Sequence, residues 1–254
     1  MLTHGFSSAP PILHASLHAG RGNWVNANIY KPAACPSRCR NDHLRPWQRP
    51  HVQGGSMCVS GDFSSSSYWN KLYTEESATA QPTEWHLNAE ALNEPLERLL
   101  GSPTDDVAIL NVGCGTSMLW ARMYDSGWRS ITNIDFSEAC IAQGKPLSTD
   151  RPGIRWLVAD ACNLSSRELP DNAFHAAVDK GTLDAIACSE AFDWFLPRMA
   201  RSLVRVLRPG GKWICVSFTP PSLALPLLSE CGEWKMEVER LKSFWLYIGT
   251  KDMG

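Results

Sequence analysis

The chain has 254 residues, 44% hydrophobic and 20% charged, enough apolar material for one α/β domain with a tail and too little charge for a wholly disordered chain. No apolar run approaches the roughly 18 residues that cross a bilayer. A net charge of −2 gives no overall pull toward nucleic acid.

That average conceals a split. Residues 1–61 carry six bases (Arg21, Lys31, Arg38, Arg40, Arg45, Arg49) and one acid, Asp42. Of the chain's 24 bases and 26 acids, 18 and 25 are left for residues 62–254, a net of −7. The first stretch is rich in Ser, Ala, Pro, Gly, Asn and His, and Pro11, His14 and His18 interrupt any secretory apolar segment. An Arg-bearing, acid-poor leader of this kind reads as a mitochondrial transit peptide. It predicts a disordered basic leader over 1–61, a folded domain over 62–254 and a matrix location. A plain disordered tail, or a later start at Met57, is the alternative and implies a cytoplasmic protein. Cys35, Cys39, His43 and His51 offer four ligands, but their spacing fits no common zinc module, so no metal is expected. The nine cysteines, odd in number and without framework spacing, read as free thiols of a reducing compartment.

From residue 85 the pattern alternates. Trp85, Leu92, Leu96, Leu99 and Leu100 form a helical stripe interrupted by Pro95. Residues 107–112 are a nearly continuous apolar run, the pattern of a strand buried on both faces. Gly113-Cys114-Gly115 then turns into a helix carrying Leu119, Trp120 and Met123. Further strands are expected over 130–135, 154–159, 174–179 and 212–218, with helices over 137–144 and 191–207, the latter ended by Pro209-Gly210-Gly211. Residues 234–240 and 244–249 are two strands joined by a short link, which demands a hairpin. The whole predicts an α/β, Rossmann-like sheet, mostly parallel, with helices on both faces and an antiparallel C-terminal β-hairpin.

Ligands of open parallel sheets sit beyond the carboxyl ends of the strands. The first strand ends in Gly113-Cys114-Gly115-Thr116-Ser117, the second in Asp135, 22 residues beyond Gly113, and the third in Asp160-Ala161. That acid suits both ribose hydroxyls of a nucleoside, and Asp160 can reach an adenine amino group. Met118 stands where a dinucleotide loop needs a third small residue, so NAD is disfavoured and a phosphate-free adenosyl ligand fits better.

These motifs resemble the seven-strand S-adenosylmethionine-dependent methyltransferases over about residues 67–250. The narrower block Asp179-Lys180-Gly181-Thr182-Leu183-Asp184-Ala185 resembles the lysine methyltransferases of citrate synthase and elongation factor 1-alpha. The resemblance implies that Gly113, Cys114 and Gly115 line the methionine moiety of S-adenosylmethionine and that Asp135 binds the ribose. It places Phe136 against the adenine and Asp160 and Ala161 at its edge, with Trp69 and Tyr73 covering the cofactor and Asp179 beside it. Trp85 and Lys180 would flank the target pocket. Asn111 departs from the family's usual acid at a position that helps hold the loop and the methionine end; the amide keeps hydrogen bonding but loses the charge.

Methyl transfer to an amine needs donor and acceptor in line and an amine stripped of its proton, against a reference pKa near 10.4. Asp179 is expected to orient the amine, with Asp184 in a lesser part; the competing reading pairs Asp179 with Lys180 as a structural ion pair. The implied activity is protein-lysine N-methylation by a monomer, with mitochondrial citrate synthase favoured and elongation factor 1-alpha second. A small-molecule methyltransferase and an inactive cofactor-binding homologue are the alternatives. His175, at the start of a strand away from the ligand end, reads as structural.

Overall fold

The computed structural model describes residues 63, 65–77 and 84–254, together with the backbone of Val25–Asn26. In chain order the elements are β1 (Val25–Asn26), α1 (Ser66–Ser77), α2 (Asn93–Leu100), β2 (Ala108–Val112), α3 (Leu119–Asp125), β3 (Ser130–Asp135), α4 (Glu138–Gly144), β4 (Ile154–Val158), β5 (Phe174–Lys180), α5 (Thr182–Ala187), α6 (Phe192–Val206), β6 (Leu207–Ser217), α7 (Pro221–Ser229), β7 (Trp234–Leu241) and β8 (Phe244–Lys251). The rest of the expected leader, with Cys35, Cys39, His43 and His51, lies outside the described residues.

All seven expected strands form. The sheet runs β1-β7-β8-β6-β5-β2-β3-β4. β2 pairs in parallel with β3 and β5, and β5 with β6. β8 runs antiparallel between β6 and β7, and the two-residue β1 lies antiparallel on β7. The chain walks outward from β2 to β3 and β4, then returns to place β5 on the other flank of β2. The order therefore reverses between β2 and β5, the position where such sheets bind ligands.

Burial on both faces explains the apolar runs. Leu110, Val112, Ala177 and Cys215 face α6 and α7 through Leu196, Met199, Leu203 and Leu228. Ile109, Ile131, Val178 and Ile214 face α2 and α3 through Leu92, Leu96, Trp120 and Met123. Trp213 stacks on Trp234 at 5.4 Å and closes the first layer under the hairpin. The hairpin itself turns in two residues between Leu241 and Phe244, with Lys242 in a left-handed conformation, φ +57°.

Two boundaries and two short helices differ from expectation. Trp85 lies outside any helix: a 3₁₀ turn over Ala89–Leu92 leads into α2, which starts at Asn93. Pro95 is the third residue of α2, where its missing N–H is one of the donors a helix start leaves unpaired anyway. β6 begins directly after α6, at Leu207, and the Pro209-Gly210-Gly211 segment is absorbed as an irregularity in its pairing with β5. Two short helices that periodicity did not mark, α5 and α7, follow β5 and β6.

Leu203 is fully buried between α6 and the sheet. Leu203→Ala should lower stability by about 2–5 kcal/mol, read as a shifted urea midpoint at unchanged slope.

Candidate active site

The turn after β2 is built around two left-handed glycines. Gly113 has φ +54°, and a Cβ there would fall 2.1 Å from the Thr182 hydroxyl, which donates to the Val112 carbonyl at 3.0 Å. Gly115 has φ +52°, and its Cβ would stand 3.0 Å from the Tyr73 hydroxyl. Any L side chain would be strained at either position and would fill the cradle. The Gly115 amide donates to Asp135 Oδ2 at 3.1 Å and the Ser137 amide to Oδ1 at 2.9 Å. Burial pushes the Asp135 carboxyl up, and these two amides oppose the shift. The Cys140 thiol occupies the third of the roughly four acceptor sites of the carboxylate, so the acid clasps its own loop and keeps one site.

Asn111 is occupied inside the sheet: its Nδ2 donates to Asn133 Oδ1 at 2.8 Å across the β2–β3 register. Cys114 is buried and donates its amide to the Ile134 carbonyl at 2.9 Å. Cys114, Asp135 and Cys140 bring three ligand-type atoms within 4.8 Å of one another, a cluster the spacing did not foretell. Burial holds the Cys114 thiol well above its ordinary value. Among the described residues no disulfide joins the cysteines.

Helix α1 roofs this turn. Asn70 Oδ1 accepts from the Ser137 hydroxyl at 2.6 Å and the Ala139 amide at 3.2 Å, and Gln143 Nε2 donates to the Tyr73 carbonyl at 2.8 Å. These bonds seat α1 on α4 and bury Trp69 and Tyr73, stacked at 5.7 Å, against Cys114, Cys140 and Ile141. Phe136 packs half-buried on the same cluster. Beyond β4, Ala161 is buried, whereas Asp160 is exposed and accepts from the Cys162 amide at 2.8 Å.

The end of β5 carries two acids with opposite circumstances. Asp179 is in register with Val112, directly before Gly113. It is fully buried; Oδ1 accepts from the Thr182 amide at 2.9 Å, and Oδ2 has no partner. Burial raises its carboxyl to about 7, the charge of Asp184 adds to this, and the Thr182 and Leu183 amides and the Cys215 thiol oppose it. Asp184 is saturated instead. Its Oδ1 accepts from the Ser217 hydroxyl (2.7 Å), the Phe218 and Thr219 amides (3.0 and 3.1 Å) and the Thr219 hydroxyl (3.0 Å), while Oδ2 meets His86 Nε2 at 2.5 Å. With both oxygens engaged, it fastens α5 to the β6–α7 loop and to His86.

Lys180 does not pair with Asp179. Successive strand residues point to opposite faces, and Lys180 Nζ donates to Glu84 Oε2 and to the Trp85 carbonyl, both at 2.8 Å. Glu84 also accepts from the Ser117 hydroxyl and the Met118 amide, each at 2.9 Å. The indole of Trp85 is 41% exposed and edges onto Trp69 at 6.1 Å. Glu84, Asn70, Thr182 and His86 were not singled out by sequence reading. Their partners lie far away in the chain, and only the Trp85 neighbourhood hinted at Glu84 and His86. His175 is structural as read: Nδ1 accepts from the Ala108 amide at 2.9 Å, and Nε2 meets Arg208. A shallow depression of about 480 Å³ lined by Asp105, Tyr124, Arg129 and Gly153 sits at the opposite, amino end of the strands and contains none of these groups.

A turn with no room for side chains, an acid clasping it and aromatic cover above it fit an adenosyl ligand. Comparison with known proteins agrees. A family model described as methyltransferase domain matches residues 110–215. Methyltransferase srdJ of Neurospora crassa is 35% identical over 170 residues, 65% of this chain and 70% of that protein. The eEF1A lysine and N-terminal methyltransferase of Mus musculus is 36% identical over 161 residues, 62% of this chain; the match spans only 22% of that longer protein. Among solved structures, the 1,6-didemethyltoxoflavin-N1-methyltransferase of Burkholderia thailandensis shares the fold at TM-score 0.53 and 17% identity, covering 79% of this chain and 93% of that one. The [4+2]-cyclase SpnF does so at TM-score 0.54 and 18% identity, covering 74% and 97%. The chain belongs to the seven-strand S-adenosylmethionine-dependent methyltransferases. The cyclase shows that the fold by itself does not fix the reaction.

Because the folded Asp179 carboxyl titrates near 7 against an ordinary value of 3.8, its contribution to stability is complete below the unfolded value and is lost as pH rises through 7. Asp179→Asn should therefore be the more stable protein at about pH 8, with the advantage vanishing below about pH 4. Urea titrations across this range provide the check.

Proposed function

We propose that the chain is a protein-lysine N-methyltransferase that takes mitochondrial citrate synthase as substrate, with elongation factor 1-alpha as the second reading. The observation that carries the amine chemistry is the unpartnered Oδ2 of Asp179, buried one strand over from the glycine turn. The Asp179-Lys180-Gly181-Thr182 block and the basic leader favour the mitochondrial substrate and location. Similarity to the eEF1A lysine and N-terminal methyltransferases favours the other.

In this reading the backbone of Gly113, Cys114 and Gly115 holds the methionine end of S-adenosylmethionine, helped by Asn111 through the strand it braces. Asp135 binds the ribose, Phe136 and Ala161 bound the adenine, and Asp160 accepts from its amino group. Trp69 and Tyr73 exclude water from above. When bound, the cofactor supplies a methyl group on a sulfonium, an electrophile open to in-line attack. The chain's own task is to present a neutral amine. The exposed Trp85 ring offers an apolar wall for the lysine stem, and such a wall disfavours the ammonium form. Lys180, tied to Glu84, fixes that wall from behind. Asp179 orients the incoming amine: its Oδ2, buried here without a donor, accepts an amine N–H once the arriving lysine opens that end of β5, and so fixes the direction of the lone pair. Asp184, fully engaged, acts by positioning His86 and the β6–α7 loop.

Incubating the purified protein with tritiated S-adenosylmethionine and citrate synthase or elongation factor 1-alpha should put label on a lysine of one of them, located by mass spectrometry. Label found only in a small-molecule extract would replace this reading with small-molecule methylation. Asp179→Asn should lower kcat by about tenfold or more while the Kd for S-adenosylhomocysteine stays within about threefold; unchanged kcat removes Asp179 from the chemistry.

A further inference from the structure

The geometry points to Glu84 as a positioning residue that transmits occupancy of the glycine turn to the acceptor wall at Trp85. This inference rests on the S-adenosylmethionine site described above. Three contacts made by one carboxylate define the device. Oε1 accepts the Met118 amide, at the start of α3; Oε2 accepts the Ser117 hydroxyl and the Lys180 ammonium. Met118 and Ser117 close the loop that begins at Gly113. Lys180 ends β5, next to Asp179, and its second donor holds the Trp85 carbonyl. Glu84 therefore joins the donor-side loop to the acceptor-side strand, and the residue that follows it presents the exposed indole. His86 completes the strap: it sits at φ +68°, is fastened to Asp184 at 2.5 Å, and its ring lies against Phe218 and Phe244 at 4.8 and 5.2 Å. Residues 84–86 thus cross the carboxyl ends of β2 and β5 with a polar anchor at each, and reach the end of β6 through the Phe218 ring and through Asp184.

The energetics favour transmission over passive bracing. The Lys180 side chain is only 4% exposed, and Glu84 is its one ion-pair partner among the described residues. A buried cation that loses its partner is strongly destabilised, so Lys180 follows Glu84. The Met118 amide is one of the donors a helix start cannot satisfy internally, so the loop follows Glu84 as well. An order imposed on the loop by the cofactor is then shared by Trp85 without any direct contact between the two, which is a coupling free energy between sites.

Amide hydrogen exchange on the full chain, with and without S-adenosylhomocysteine, tests this. In the wild type, saturating S-adenosylhomocysteine should slow exchange about tenfold or more both at 113–118 and at 84–88. In Glu84→Gln the slowing at 113–116 should persist while that at 84–88 falls below about twofold. Peptides from α6 should exchange as in the wild type, which a loss of overall stability would not allow. Lys180→Met serves if Glu84→Gln does not fold, because it leaves the carboxylate 31% exposed and able to hydrate; it should lose the slowing at 84–88 in the same way. Slowing at 84–88 that survives in the folded variant overturns the inference. Wild-type protein that binds S-adenosylhomocysteine with no change at 84–88 overturns it while leaving the methyltransferase reading intact. Absence of calorimetric heat with the wild type overturns both.

Discussion

The site depends on a backbone reversal that only glycine adopts without strain. At Gly113 and Gly115 the chain turns left-handed between β2 and α3, and neighbours occupy the space where side chains would stand: the Thr182 hydroxyl on one flank and the Tyr73 hydroxyl on the other. Asp135 then clamps the reversal from β3 by accepting the Gly115 amide. Each partner comes from a different element, so the turn acquires its shape only when β3, α5 and α1 have all docked. The local sequence makes the conformation cheap, and the tertiary structure makes it unique.

Two acids five residues apart show how environment divides labour. Asp184 receives four donors on one oxygen and His86 on the other. Asp179, at the strand end itself, is held by the Thr182 and Leu183 amides and the Cys215 thiol, and its Oδ2 meets no donor in hydrogen-bond geometry. Burying a polar atom without a partner costs free energy, and such atoms concentrate where chemistry compensates for them. The same short block, 179–184, thus contains both a fastening group and a reactive one, and only the count of hydrogen bonds distinguishes them.

Much of the fold was legible because burial on both faces writes itself into continuous apolar runs. Residues 107–112 and 213–216 could hardly be anything but inner strands, and the short link before Phe244 demanded the hairpin. Residues at strand ends were legible for the same reason, since the topology says which ends carry ligands. What could not be read were contacts of long sequence separation. Glu84 looks like one acid among many until β2 and β5 are laid side by side, and its partners are 33, 34 and 96 positions away. The Asp179–Lys180 pairing failed because adjacency in sequence is opposition across a strand. Trp85 joined a helical stripe by spacing alone, although the helix starts eight residues later. Helices α5 and α7 are too short and, in α7, too uniformly apolar to show a period.

The outer strand β4 has a quieter consequence. It pairs with β3 on one side, and among the described residues its other edge has no neighbour in the sheet. Of Ile154-Arg155-Trp156-Leu157-Val158 only Arg155 is charged, and Val158 is already 45% exposed. A strand this apolar with unspent amides is a template for a second molecule, and a single guanidinium interrupts it. Arg155 is the one charge along that strand, the kind of residue that blunts edge-to-edge pairing where the rest of the strand would invite it.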